Sequence, residues 1–177
     1  MIRLFVGLPL PEQVSARLAL MAGGIPGARW IEARNLHVTL RFVGEVDETT
    51  AAEIDATLAM LRAPEFELSL DGFGTFGRAK PNHLWASVER VAPLLHLQNR
   101  IETALNRLGL VPEGRKFLPH VTLARLKDTP TARVQDFIGR NAPFRLGPWT
   151  VEHFTLFQSH LGRAGAEYQG IADYPLS

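Results

Sequence analysis

A tetrapeptide that occurs twice constrains this chain more than any other feature of its sequence. The copies are His37-Val38-Thr39-Leu40 and His120-Val121-Thr122-Leu123, and each lies in a short apolar run typical of a β-strand. Side chains at positions i and i+2 of a strand point to the same face. The imidazole and the hydroxyl of each copy therefore share one face, while the valine and the leucine share the other. Burial of the apolar faces would leave two histidines and two threonines around one small cavity, which we interpret as the functional site.

Composition limits the class of protein to which the chain can belong. The 177 residues are 46% hydrophobic, enough for a core, and we expect a single bilobal domain over residues 1–177. A formal net charge of +1 neither requires nor excludes a nucleic-acid partner. The absence of cysteine excludes disulfides, thiolate metal sites and thiol catalysis, and it is consistent with a cytoplasmic protein. No apolar stretch approaches the length of a membrane span. We expect the protein to be a monomer.

The spacing of apolar residues predicts an α+β fold with antiparallel sheets. The predicted strands cover residues 2–8, 29–31, 36–43, 66–70, 84–88, a second motif strand ending near 126, 144–146, 150–158 and 168–171. The predicted helices begin near Pro11, cover 52–61 after an N-cap at Asp47, and cover 94–108 and 131–140. The glycine-containing segments 71–81 and 159–166 are predicted to be a loop or bulged strand end and a turn.

The two copies of the motif fall at comparable places in the two halves of the chain. A tandem duplication would relate the halves by an approximate two-fold axis and bring the motif strands together. We therefore predict two pseudo-symmetric lobes around a central cleft, each an antiparallel sheet with helices on its outer face.

Two histidines and two threonines form a set of groups that can hydrolyse a phosphodiester without a metal. Histidine, with an ordinary pKa of about 6.5, gives and takes protons near neutrality. One imidazole can deprotonate a water while the other protonates a leaving oxygen. Threonine hydroxyls can donate to non-bridging oxygens as negative charge develops on them. A strained cyclic phosphodiester is the group best suited to this arrangement.

The residues alone leave other interpretations open. A single His-x-Thr in a strand is usually structural, and only the repetition favours a shared site. Neutral imidazole is also a common metal ligand, but no Asp, Glu or Cys shares a strand face with either motif histidine, so we expect no metal. The other histidines are predicted to have structural or surface positions; they are His83, His96, His153 and His160.

The segments around both motifs resemble the two signatures of the two-histidine phosphoesterase superfamily. More narrowly, they resemble the bacterial and archaeal RNA 2′,3′-cyclic phosphodiesterases, historically called 2′-5′ RNA ligases. The resemblance is carried by residues 35–44 and 117–125, and further by residues 3–8, 84–86 and 156–168. It therefore spans nearly the whole chain.

The resemblance implies hydrolysis of a 2′,3′-cyclic phosphate at an RNA end to a 2′-phosphomonoester, with no metal or nucleotide cofactor. It also implies the reverse reaction, 2′-5′ joining, in which a ribose hydroxyl replaces water. By the resemblance, His37 is the general acid that protonates the departing ribose 3′-oxygen, and His120 is the general base that activates water. Thr39 and Thr122 hold the non-bridging oxygens. The pseudo-symmetry makes the roles of the two histidines easy to exchange.

Two further residues are candidates for substrate binding. Arg125, two residues beyond Leu123, is expected on the cleft face if the strand is regular, where it would contact a phosphate or stack on a base. Its alternative is a solvated charge at a strand end. Phe42 is an apolar candidate for base stacking, with core packing as its alternative. We expect segments 72–80, 113–116 and 159–166 at the rim of the cleft.

Two other functions are consistent with the same residues. The first is an RNA-end or nucleotide-binding module that grips phosphate without chemistry. The second is a phosphodiesterase acting on a different substrate, such as a cyclic phosphate of an ADP-ribose derivative or a 2′-5′ oligonucleotide.

Overall fold

The computed structural model describes all 177 residues, which form nine strands and four helices. The strands are β1 (Ile2–Pro9), β2 (Ala28–Trp30), β3 (His37–Val46), β4 (Phe66–Phe76), β5 (His83–Val88), β6 (His120–Leu126), β7 (Arg145–Val151), β8 (His153–Gly162) and β9 (Gly165–Pro175). The helices are α1 (Glu12–Leu20), α2 (Glu48–Ala59), α3 (Ala92–Arg107) and α4 (Thr131–Arg140), and a 3₁₀ turn covers Ala33–Asn35. None of the helices combines the length and the apolar character needed to cross a membrane.

Two antiparallel sheets organise the molecule, which confirms the predicted α+β class. Sheet A has the strand order β3-β1-β8-β9, and sheet B has the order β2-β6-β5-β4-β7. Each sheet contains one motif strand, β3 at an edge of sheet A and β6 inside sheet B. The lobes do not follow the two halves of the chain, because sheet A combines the first and the last strands.

A continuous hydrophobic core of 34 buried residues includes side chains from both sheets and from the helices. The apolar residues of both motifs belong to it; they are Val38, Leu40, Val121 and Leu123. Helix α3 adds a fully buried stripe at helical spacing, as its sequence predicts; these residues are Leu94, Leu97, Ile101 and Leu105. Burial of the motifs' apolar faces holds their polar faces in fixed positions.

Glycines with positive φ lie inside two strands: at Gly44 the predicted strand end is wrong, whereas at Gly72 the bulged strand end predicted as one alternative for segment 71–81 is found. Strand β3 continues through Gly44 (φ 86°) to Val46, and β4 continues through Gly72 (φ 82°) to Phe76. Both glycines lie at irregularities in the ladder, where the left-handed conformation is tolerated without a Cβ. The segment 159–166 is the end of a long hairpin, in which Gly162 pairs with Gly165.

Two other boundaries differ from the prediction. The predicted strand 150–158 is two strands, β7 of sheet B and β8 of sheet A, which separate at Glu152. Helix α2 begins at Glu48, directly after the predicted N-cap, because the Thr50 N–H donates to Asp47 Oδ1 at 2.7 Å.

Candidate active site

The motif residues of β3 and β6 lie together in one cleft between the sheets. His37, Thr39, His120 and Thr122 are all half-buried, in contrast to the buried valines and leucines that alternate with them. The two imidazoles are close enough for the charge of His120 to lower the pKa of His37. The structure therefore brings together the four residues that the repeated motif singled out.

Both imidazoles are held in the same way by the backbone two residues upstream. His37 Nδ1–H donates to the Asn35 carbonyl at 2.7 Å, and His120 Nδ1–H donates to the Leu118 carbonyl at 2.6 Å. A carbonyl only accepts, so Nδ1 carries the proton and Nε2 is left as the ring atom that can accept one. The Thr39 hydroxyl donates to His37 Nε2 at 2.9 Å.

Burial makes His37 a weak proton acceptor. The pKa of His37 is lowered from about 6.5 to about 4, chiefly by burial and to a smaller extent by the charge of His120, while the bond to the Asn35 carbonyl opposes both effects. His37 is therefore neutral at pH 7 in the free protein.

Aromatic rings surround both imidazoles. The His37 ring lies 4.8 Å from Phe5 and 5.1 Å from Tyr168, which meets it edge-on at 85°. Such apolar surroundings account for the burial that keeps His37 neutral.

On the other lobe, the His120 ring lies 5.1 Å from Phe76 and 5.6 Å from Trp85. Trp85 lies against Gly74 of β4, where a Cβ would come within 2.2 Å of the indole ring. Only glycine at position 74 therefore permits this wall beside His120.

A β-bulge at the same place in each motif strand sets the orientation of the next residues along that strand. In both strands the extra residue is the motif leucine, Leu40 in β3 and Leu123 in β6. One extra residue reverses the alternation of side chains along a strand. The residue two positions later, Phe42 in β3 and Arg125 in β6, therefore faces the cleft, whereas in a regular strand it would share the buried face of the leucine.

The bulges place both substrate-binding candidates on the cleft side of their strands. Arg125 is on the cleft face and exposed, but the expectation that regularity puts it there is wrong. Phe42 is 57% exposed, with its ring 6.1 Å from that of Phe5, so core packing is not its role.

His83 is a cleft residue that the sequence analysis assigned to a structural position. On β5 it alternates with buried residues and shares the cleft face with Trp85. It is paired in register with Arg125, and its pKa is lowered by burial first and then by the charges of Arg125 and His120. The alternation of residues 83–88 was the signal for this placement.

The hairpin of β8 and β9 reaches from sheet A to sheet B at one end of the cleft. The Arg29 guanidinium of β2 donates to the Ala164 carbonyl at the hairpin tip. Asn35 Nδ2 donates to the Ala166 carbonyl at 3.2 Å, and the Tyr168 N–H donates to Asn35 Oδ1 at 3.3 Å. The segment 159–166 thus lies at the rim, as expected. No three His, Asp or Glu side chains converge as a set of metal ligands.

Comparison with known families bears on this geometry. A profile of the 2′-5′ RNA ligase superfamily matches residues 11–163, which include both motifs. The chain belongs to this superfamily. This chain is 36% identical over 151 residues to the RNA 2′,3′-cyclic phosphodiesterase of Aeropyrum pernix, covering 84% of this chain and 85% of the relative. It is 30% identical over 181 residues to the Bacillus subtilis protein of the same name, covering 98% and 96%.

Solved structures related to this 2′-5′ RNA ligase superfamily member have the same fold. The apo form of E. coli LigT superposes with a TM-score of 0.81 at 27% identity, over 99% of this chain and 98% of that one. LigT complexed with 3′-AMP gives a TM-score of 0.80 at the same identity and coverage.

The lowered pKa of His37 predicts how stability depends on pH. The pKa of His37 is about 4 in the folded protein and about 6.5 in the unfolded chain. The contribution of a neutral His37 to the free energy of unfolding is therefore complete above pH 6.5 and is lost as the pH falls towards 4. Its size is at most about 3 kcal/mol. Urea unfolding at pH 7 and pH 4 is expected to show a smaller pH-dependent loss of stability in His37→Asn than in the unaltered protein. The exposed His96→Asn is the control and should keep the original loss; an unchanged loss in His37→Asn would contradict the shift.

Proposed function

We propose that the protein hydrolyses RNA 2′,3′-cyclic phosphate ends to 2′-phosphomonoesters through general acid–base catalysis by His37 and His120. The observation that supports the proposal is the matched pair of imidazoles, each fixed through Nδ1 so that Nε2 is directed into the cleft as the atom that can transfer a proton. Membership of the superfamily and relatives named RNA 2′,3′-cyclic phosphodiesterase support the substrate class.

In the proposed reaction, one imidazole takes a proton from water as the water oxygen bonds to phosphorus. The bond between phosphorus and the ribose 3′-oxygen breaks, and the other imidazole gives its proton to that oxygen. The phosphate stays on the 2′-oxygen. Thr39 and Thr122 donate to the non-bridging oxygens, which carry the developing charge. With a ribose 5′-hydroxyl as the nucleophile in place of water, the same displacement of the 3′-oxygen would join RNA ends by a 2′-5′ bond.

The assignment of acid and base combines two arguments. The resemblance makes His37 the acid and His120 the base. A neutral His37 in the free protein has no proton on Nε2 to give, so as the acid it must gain one with the substrate. The anionic phosphate supplies the reason, because a negative charge beside an imidazole raises its pKa.

Arg125 and Phe42 complete the proposed site from the two lobes. The exposed guanidinium of Arg125 can bind phosphate, and the exposed ring of Phe42 can stack on a base. In this proposal the reaction needs no metal and no cofactor. The protein acts as a monomer, and its substrates are RNA ends.

Turnover of a short RNA ending in a 2′,3′-cyclic phosphate, in excess chelator and across a pH series, tests the proposal. A 2′-phosphate end formed with a bell-shaped pH profile is the expected result. Tight RNA binding with no product at any pH would overturn it in favour of a binding module. Turnover of a different cyclic phosphate or of a 2′-5′ oligonucleotide, but not of this RNA, would change the substrate.

A further inference from the structure

A row of side chains crosses sheet B next to the catalytic residues. Arg29 of β2 pairs in register with Arg125 of β6, which pairs with His83 of β5, which pairs with Phe76 of β4. Directly opposite residues of antiparallel strands point to the same face, with neighbouring strands about 5 Å apart. The four side chains therefore form one line across the sheet, which we call the basic row.

The basic row faces the cleft rather than the core. Trp30, the neighbour of Arg29, points to the opposite face, where its ring lies 5.5 Å from Phe137 of α4. Arg29 itself reaches the β8–β9 hairpin of sheet A through its hydrogen bond to the Ala164 carbonyl. A side chain that connects the two sheets at the end of the cleft cannot lie on the helix-covered side.

The arginines of the basic row are not neutralised. Neither Arg29 nor Arg125 forms an ion pair with a carboxylate. Arg163 at the hairpin tip, next to the carbonyl that Arg29 contacts, adds another exposed positive charge. Two guanidinium groups on neighbouring strands, with a partly exposed aromatic ring at the other end of the row, combine the two elements of a single-strand binding groove.

The basic row lies about one nucleotide from the catalytic residues. On the regular strand β5, Trp85 pairs with Thr122 and His83 pairs with Arg125. Trp85 and His83 are two residues apart, so the motif threonine and the basic row are separated by about 7 Å along the strand. A cyclic phosphate closes the 3′ end of an RNA, so the only neighbouring phosphate is on the 5′ side.

We propose that Arg29 and Arg125 form a second phosphate subsite, which binds the phosphodiester on the 5′ side of the terminal nucleotide. The inference rests on the proposed function and makes it more specific, because the preferred substrate is then an oligonucleotide end rather than a cyclic mononucleotide. Arg29 is assigned here as a substrate-binding residue, with its guanidinium oriented by the Ala164 carbonyl.

A comparison of kcat/KM for three substrates with the same terminal base tests this inference separately from the proposed function. They are a nucleoside 2′,3′-cyclic phosphate, a dinucleotide ending in that cyclic phosphate, and the same dinucleotide with an uncharged methylphosphonate linkage. We expect kcat/KM for the charged dinucleotide to exceed that of the other two about tenfold, the effect of one hydrogen-bonded charge pair. Added salt should reduce the advantage.

Arg29→Gln is expected to reduce the ratio of kcat/KM for the charged over the uncharged dinucleotide to near unity and to weaken its salt dependence. Arg140→Gln, which removes the same charge from exposed α4, is the matched control and should keep the ratio. A ratio of unity in the unaltered protein, or an unchanged ratio in Arg29→Gln, would overturn the subsite while leaving the proposed function intact. If none of the three substrates is turned over, the proposed function itself fails, and with it the subsite.

Discussion

A His120→Asn variant is expected to fold normally and to lose about 10³-fold in kcat on an RNA 2′,3′-cyclic phosphate, within the range for removal of a general acid or base. The Asn Nδ2 can replace imidazole Nδ1 as donor to the Leu118 carbonyl, so the local backbone keeps its partner. The group that the variant lacks is Nε2. We expect the same loss in His37→Asn, where the amide can donate to the Asn35 carbonyl.

Glutamine separates proton transfer from simple binding at both positions. Its Nε2 reaches near the position of imidazole Nε2 and donates a hydrogen bond, but it cannot exchange a proton at neutral pH. His37→Gln and His120→Gln should therefore retain substrate affinity and still lose turnover. His96→Asn, on the exposed face of α3, is the control and should keep full activity. Activity within tenfold of the unaltered protein in either glutamine variant would contradict acid–base catalysis by that histidine.

A sulfur-substituted substrate assigns the acid. If sulfur replaces the ribose 3′-oxygen, the leaving thiolate needs no proton, because a thiol has a pKa of about 8.5. The variant that lacks the general acid should then regain activity, and the variant that lacks the base should not. We expect rescue of His37→Asn; rescue of His120→Asn alone would exchange the two roles, as the low pKa of His37 in the free protein permits.

Arg41→Met is expected to have the largest effect on stability, a loss of about 3–5 kcal/mol in the free energy of unfolding. Arg41 is 3% exposed, and its Nε lies 2.5 Å from Glu102 Oε2 of α3, whose side chain is 18% exposed. The contact is an ion pair, and neither of these two atoms has a hydrogen-bond partner. Removal of the guanidinium leaves the Glu102 carboxylate largely buried without a countercharge.

Arg41 also joins the first motif strand to the segment that precedes the second motif. Its guanidinium donates to the Phe42 carbonyl next to the bulge of β3, and to the Val111 carbonyl at 2.5 Å. Val111 lies in the segment that leads from α3 to the second motif. The variant is therefore expected to lower activity as well, through the positions of Phe42 and of that segment.

A double-mutant cycle measured by urea unfolding tests the buried pair. Because Arg41→Met with Glu102→Leu removes both charges together, it should recover most of the stability lost in Arg41→Met alone. The exposed pair Arg3 and Glu45 provides the matched control, and Arg3→Met should cost less than about 1 kcal/mol. A loss for Arg41→Met as small as that of Arg3→Met would show that the buried pair contributes little.

The repeated motif and the apolar periodicity were enough to predict the fold class, the long helices and the four polar residues that meet in the cleft. These features depend on the local alternation of side chains and on which faces are apolar, and both can be seen in a short stretch of consecutive residues. The stripe of α3 and the faces of His37 and His120 could be predicted directly. Strand ends within glycine-rich segments could not, because a glycine with positive φ can end a strand or form a bulge inside it, and the neighbouring strand decides which.

Register and sheet order, in contrast, depend on strands that are far apart in the chain. The bulges at Leu40 and Leu123 exist only because of the strands paired beside them, and they alone turn Phe42 and Arg125 to the cleft. Arg29 joins Arg125 across strands that are almost a hundred residues apart in the chain, so no local pattern could have revealed the basic row. The order of amino acids specifies which groups can do chemistry, since side-chain type and alternation are local; the pairing of distant strands specifies which of those groups meet.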